Sequence, residues 1–285
     1  MQQVRPDEVV EEIWPLEQSD IEAGMESVAW DDPHETRPNR VSEMDLEEPI
    51  QYHADRVGAE RVLEIGASSG ATTEELAALL PDTEVLGVEL SDEYVREAEQ
   101  RRSGLDAEDA ASWQVVQGRA TDLAAAVDEP YDMVVALNSL GTLIDTEAVG
   151  RAALSRARNA GYDLTEPRDG VDGDVEFTDR LQSAAAHRYA ADALESVGSV
   201  TAPGAPLVLA DGGRYLVAEQ RGSDWYAVES RDVVLERRQT GGAVQLDTYT
   251  TVEDHKEADA IYRVWLDLMD TSERSRQVPL QRGDT

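Results

Sequence analysis

The sequence contains no cysteine, one phenylalanine (Phe177) and, among its 25 cationic residues, a single lysine, Lys256. Without cysteine there is no disulfide framework, no thiolate nucleophile and no Cys-based zinc site. No apolar run approaches the ~20 residues that a membrane helix needs, so no membrane partner is expected. The first residues, Met1 to Trp14, lack both a basic segment and an apolar one, so no secretory signal is expected there. The expectation is a soluble, cytoplasmic protein. A basic stripe that would track phosphates is also missing, which argues against DNA as a partner.

Acid is what the sequence has in excess. Asp and Glu total 60 against 25 Lys and Arg, for a formal net charge of −35. The acid is not confined to a tail, since it recurs from Asp7 to Asp284. Such a charge strains a compact state by self-repulsion in dilute buffer. At molar salt the Debye length falls to about 3 Å and most of that repulsion is screened. The balance resembles that of halophile proteins, which work in molar KCl. Disorder is the rival explanation, because Leu, Ile, Val and Phe make up only roughly a fifth of the chain. Their clustering into strand-like runs assigns disorder to the two ends at most. A chain of 285 residues has room for one large α/β domain with extensions, or one domain plus a small second one.

Residues 1–45 read as an irregular extension, with Trp14 and Trp30 as its main apolar features and Pro33 and Pro38 as helix breakers. A helix is expected over about 48–58, with Ile50, Ala54 and Val57 on one face. A regular alternation then starts. Arg61–Ile65, Glu84–Glu89, Trp113–Gln117, Met133–Leu137 and Pro206–Ala210 read as strands. Helices are expected from Thr72, carrying Leu76, Leu79 and Leu80, and from Ser91, a plausible N-cap, through about Arg102. Strands separated by helices mean βαβ units and a parallel sheet. Later, Trp225–Val234 and Ala243–Val252 flank Gln239-Thr-Gly-Gly242 and read as an antiparallel hairpin. Ala258–Leu268 reads as an amphipathic helix.

The stretch that carries chemistry is Val62-Leu-Glu-Ile-Gly-Ala-Ser-Ser-Gly70, followed by Gly87-Val-Glu89-Leu90. A strand delivers the chain to a sharp turn, and Gly66 and Gly70 let the backbone approach a ligand with no Cβ in the way. The following helix aims its positive N-terminus at that ligand. Glu89, ending the second strand, can accept both hydroxyls of a ribose. The ligand then lies across the carboxyl ends of the strands, where open α/β sheets bind ligands. The same letters also spell Gly-x-Ser-x-Gly, a hydrolase nucleophile elbow, with Ser68 as nucleophile and His187 or His255 as base. Against it, the motif ends the first clear strand, no glycine-rich oxyanion loop precedes it, and the Glu89 strand is left unexplained. A nicotinamide-cofactor site wants Gly-x-Gly-x-x-Gly, and the spacing from Gly66 to Gly70 departs from that.

The arrangement resembles class I S-adenosylmethionine-dependent methyltransferases, over about 48–145 and more loosely to the fifth strand and final hairpin. Their first motif, acid-x-Gly-x-Gly-x-Gly, is Glu64-Ile-Gly66-Ala67-Ser68-Ser-Gly70 here, with serine at the middle glycine. The resemblance implies S-adenosylmethionine as cofactor, with Gly66, Ala67, Ser68 and Gly70 bordering its methionine part and Glu64 and Arg119 among its contacts. It also implies Glu89 on the ribose and Leu90 on the adenine, with Leu137 and Asn138 adding contacts from the fourth strand's end. The family's third-strand Gly-Asp-Ala is Gly118-Arg119-Ala120 here. Arginine cannot accept the adenine hydrogen bond, and the Ala120 backbone is left to serve. Tyr131-Asp132 fits the aromatic-Asp pair that opens the fourth strand. Glu64 has an equal structural reading, satisfying donors at the strand end, and Asn138 an equal one as a helix cap.

The expected fold is α/β: a Rossmann-like, doubly wound, mostly parallel seven-stranded sheet with a C-terminal antiparallel hairpin. The methyltransferase domain is expected over 46–270, with a lid-like insertion at about 145–180 and a flexible tail at 271–285. The 1–45 extension is expected to serve as part of the lid. The expected activity is methyl transfer to a small molecule. The run Ala136–Leu143 resembles that of small-molecule N-methyltransferases, and the Asn/Asp-Pro-Pro-Tyr motif of amino-methylating DNA enzymes is absent. The alternative is a module of the same fold that binds the cofactor without turnover. Tyr52 and Asn138 are the substrate-side candidates, although for Tyr52 and His53 a surface role is the plainer reading. No metal is expected: Asp169, Asp172, Asp174 and Glu176 form an acidic loop that does not match the EF-hand spacing. No catalytic base and no oligomeric state can be read from the sequence.

Overall fold

The computed structural model describes residues 5–27, 41–42, 46–106, 109–128, 130–137, 146–162, 164, 173–211, 214–221, 224–232, 237–238 and 244–245. Five strands run parallel or pack at the centre as the apolar runs dictate: β1 (Arg61–Ile65), β2 (Glu84–Glu89), β3 (Trp113–Gln117), β4 (Met133–Leu137) and β5 (Pro206–Asp211). Two more, β6 (Arg214–Arg221) and β7 (Asp224–Asp232), complete a seven-stranded sheet of order β3-β2-β1-β4-β5-β6-β7. The first four pairings are parallel, and β5–β6 and β6–β7 are antiparallel. The central strands are buried on both faces. β4 reads Met-Val-Val-Ala-Leu with every residue buried, as expected of a parallel strand covered by helices on each side.

The helices are α1 (Pro6–Ile13), α2 (Gln18–Ser27), α3 (Glu47–Val57), α4 (Ala71–Leu79), α5 (Asp92–Ser103), α6 (Thr146–Asn159) and α7 (Gly173–Val200). On one face of the sheet, α3, α4 and α5 cover Val62, Val85, Val135, Val208 and Val217. On the other, α1, α2, α6 and α7 cover Leu63, Ile65, Leu86, Val88, Leu207 and Leu216. The alternation of these residues along each strand divides them between the two cores. Sheet order reverses direction between β1 and β4, so the carboxyl edge there forms the crevice in which open α/β sheets seat ligands.

One reading of the sequence is corrected. The N-terminal stretch is not irregular throughout: Pro6, suited to a first helical position, opens α1, whose Val9, Val10 and Ile13 are buried. Trp225 belongs to β7, which pairs antiparallel with β6, while most of Ala243–Val252 lies outside the described residues. Gly212-Gly213 and Gly222-Ser223, not Gln239–Gly242 alone, separate the paired strands. Arg237–Arg238 and Val244–Gln245 pair separately as a short antiparallel ribbon, β8 and β9. Trp30, Pro33, His34, Pro38, Asn138, Ser139, Asp169, Asp172, His255 and the helix expected over 258–268 lie outside the described residues. Among the described residues no helix is long and apolar enough to cross a membrane.

Candidate functional site

The turn between β1 and α4 takes its shape from backbone geometry that few side chains tolerate. Gly66 and Gly70 have φ of 77°, and Ser68 has φ of 48°. All three sit in the left-handed region, which costs a residue with a Cβ on the order of 1–2 kcal/mol. Ser68 therefore occupies a position built for glycine, and its neighbours hold it there. The Gly66 and Ala67 N–H groups both donate to the Val88 carbonyl, at 2.8 and 3.2 Å. The Ser68 N–H donates to Glu89 Oε2 at 2.8 Å. The other carboxylate oxygen, Oε1, accepts from the Ser91 N–H at 2.9 Å. One carboxylate thus ties the first turn of the crevice to the start of α5.

Close packing under the turn requires small residues. A Cβ on Gly87 of β2 would lie 2.5 Å from the Ala67 Cβ, and one on Gly70 would lie 2.9 Å from the Trp113 ring. Neither position has room for a side chain, which brings the turn down onto β2 and β3. From α5, Arg101 Nε donates to the Ser69 carbonyl at 3.2 Å and pairs with Glu74 at 3.3 Å. Ser91 caps α5 as expected, with its hydroxyl accepting from the Tyr94 N–H at 3.5 Å.

Two carboxylates lie at this edge, in different surroundings. Glu64 is 1% exposed, and its Oε2 accepts from the Thr73 hydroxyl at 2.6 Å. Burial pushes its carboxyl up to about 8; the Thr73 hydrogen bond pulls it down, and the charges of Glu89 and Glu75 push it up. It satisfies a donor in the core. Glu89 is half-buried, and burial raises its carboxyl also, against the pull of the Ser91, Ser68 and Leu90 amides. Those amides favour the ionised form.

The structure brings together Glu64, Gly66, Ala67, Ser68, Gly70, Glu89, Leu90, Arg119, Ala120 and Leu137, all at the carboxyl edge of β1 to β4 or just past it. Leu90, Ala120 and Leu137 are buried and apolar there. Glu64 is bonded to Thr73 in the core, in line with its structural reading, and Arg119 donates to the Leu16 carbonyl, between α1 and α2, at 3.0 Å. Tyr52 is 60% exposed on α3, edge-on to the His53 ring at 5.0 Å. His187 lies on α7 with its Nδ1 2.8 Å from the Ser183 carbonyl oxygen of the same helix. Among the described residues no group of three or more His, Asp or Glu is placed to hold a metal ion. Sequence reasoning missed Thr73 and Arg101. Thr73 carries a readable signal, a hydroxyl in the first helical turn nine residues after a buried acid, whereas nothing in the sequence marks Arg101.

The fold and site define an open α/β domain with a ligand turn closed by a strand-end carboxylate. Residues 63–162 match the family model described as a methyltransferase domain. That match begins in β1 and ends just beyond α6. No curated protein matches the sequence. Among solved structures, the chain is similar to the glycopeptide N-methyltransferase MtfA complexed with S-adenosylmethionine, at 20% identity, covering 70% of this chain and 58% of that one, with a TM-score of 0.35. It is also similar to a SAM-dependent methyltransferase from Methanosarcina mazei, at 19% identity, 52% and 50% coverage and a TM-score of 0.30. TrmN from Thermus thermophilus is similar at 15% identity, 66% and 48% coverage and a TM-score of 0.35. The chain spans about half the length of these solved proteins.

Proposed function

We infer that the protein is an S-adenosylmethionine-dependent methyltransferase acting on a small-molecule acceptor. The observation that carries this is the Glu89 carboxylate, bonded to the Ser68 and Ser91 amides and closing a turn with positive φ at Gly66, Ser68 and Gly70. The same carboxylate has the chemistry to accept ribose hydroxyls, and the turn leaves backbone room for the methionine moiety. Gly66, Ala67, Ser68 and Gly70 would border that moiety, with Leu90, Ala120 and Leu137 giving apolar contact to the rest. Bound there, the cofactor supplies an electrophilic methyl group on a sulfonium. The chain's own residues then orient it and exclude water, which suffices when the acceptor is already nucleophilic. The layer of α1, α2, α6 and α7 supports a lid role for the N-terminal segment and the region after β4. The net charge of −35 supports a small acceptor over a polyanionic one, and a working medium of high ionic strength.

Titration calorimetry of S-adenosylmethionine and S-adenosylhomocysteine, in KCl of about 2–3 M to screen the surface charge, tests the reading. Saturable binding that Glu89→Ala and Gly66→Val both abolish is the expected result. A well-folded protein that binds neither ligand would refute it, and an esterase probe of Ser68 would then be the next measurement.

A further inference from the structure

Arg119 sits where three parts of the molecule meet. Just before it, the chain is fastened to the cradle, since the Gly118 N–H donates to the Glu89 carbonyl at 2.9 Å. Its guanidinium then donates to the Leu16 carbonyl at 3.0 Å, in a segment 103 residues away whose Leu16 side chain is 2% exposed. The third part is α7. Burial pushes the Tyr189 hydroxyl up to about 12, while Arg119 pulls it down and Asp192 pushes it up, so both charges act on that hydroxyl. Asp192 in turn accepts from the Trp14 indole N–H at 2.7 Å. A chain of contacts therefore runs from the Glu89 backbone through Arg119 to the α1–α2 segment, and from there to α7.

A guanidinium bonded to a carbonyl of a buried segment is a strut. Charge-assisted hydrogen bonds of this kind are among the stronger ones. The strut is planted at the β3 end of the cradle, beside the buried Ala120. We propose that Arg119 is a positioning residue for the cofactor, latching the N-terminal α1–α2 arm to the β3 end of the cradle so that the docked arm walls that end. The proposal rests on the reading of the cradle as an S-adenosylmethionine site. It makes arm docking and ligand binding reciprocal: the ligand stabilises the docked arm, and releasing the arm lowers the binding-competent fraction.

The test uses the full chain in high salt, with S-adenosylhomocysteine as the probe. Affinity is measured by calorimetry, and hydrogen exchange is followed over residues 6–27. In the wild type, ligand should slow exchange in the arm. Arg119→Ala should speed that exchange without ligand, weaken binding about tenfold and reduce the protection that ligand confers. Arg119→Lys, which keeps the charge and a donor, should recover part of the loss. Trp14→Phe removes the Asp192 bond far from the cradle and should weaken binding in the same direction. Faster arm exchange in Arg119→Ala with unchanged affinity would overturn the proposal, because Arg119 would then be structural only. So would an arm whose exchange ignores ligand in the wild type. A wild type that binds neither S-adenosylmethionine nor S-adenosylhomocysteine would instead sink the cofactor reading and the proposal with it. The ligand-free exchange of Arg119→Ala still distinguishes that case, because it reports the latch itself.

Discussion

The two faces of the sheet are covered in different ways. On one, α3, α4 and α5 come from a continuous stretch, each helix next to the strands it covers. On the other, α1 and α2 from one end of the chain pack with α6 and α7, from beyond β4. The first face is assembled from local βαβ units and carries the ligand turn. The second joins the β4–β5 crossover helices to a distant arm through tertiary contacts, such as Trp14 to Asp192 and Arg188 to Glu11. The chemistry rests on the local face, and the distant face supplies the wall.

The largest expected effect tests whether the distant face is integral. Ile13 is 3% exposed, and Ile13→Ala should cost about 2–5 kcal/mol in urea unfolding. A much smaller loss would make the arm an appendage and break the symmetry of the two cores. On the local face, Gly87→Ala should cost about 1–3 kcal/mol, because the added Cβ has no space against Ala67. The same variant should weaken S-adenosylhomocysteine binding, and unchanged affinity would separate packing beneath the turn from the turn's function.

A pH dependence follows from Glu64, whose carboxyl is raised from 4.5 to about 8 in the folded protein. Between those values the folded state holds a proton that the unfolded chain releases. This group's contribution is therefore fully present below the lower value and is lost as pH rises to the upper one, by at most about 1.4 kcal/mol per pH unit. Glu64→Gln removes the titration and keeps an acceptor for Thr73. Its stability should fall less between pH 5 and 8 (roughly the window bounded by the two values), leaving it the more stable protein on the alkaline side. Parallel stability–pH curves for variant and wild type would show that Glu64 does not titrate in this way. The smallest effect should come from Arg96→Ala. The Arg96–Asp92 pair is exposed, with side chains 62% and 65% accessible, so its loss should move the melting temperature within error.

The same contrast explains how much could be read from the sequence. The local face was legible because each apolar run, turn and cap is decided by neighbours a few residues away. Arg61–Ile65, the Gly66–Gly70 turn and the Ser91 cap are examples. Glu89 was legible as a strand-end acid, but not as the tie between Ser68 and Ser91, since that bond spans 21 residues. The arm was not legible. Val9, Val10 and Ile13 form a short apolar face within an acidic stretch, and the helices that give it a partner, α6 and α7, lie far along the chain. Arg119 was read by its position in a motif, whereas its structural partner lies over a hundred residues earlier. The β6–β7 pairing is not legible because Gly241-Gly242 is a more conspicuous turn signal than Gly222-Ser223, which joins the two strands.

The arm's place in the chain has a consequence for biosynthesis. It leaves the ribosome well before α7, and its Trp14 must find Asp192, 178 residues later. At synthesis rates of about 5–20 residues per second, the arm's apolar face waits on the order of 10–40 s for its partner. During that interval the local βαβ units can already fold behind it. The nascent chain thus passes through a stage in which the ligand crevice exists before its wall.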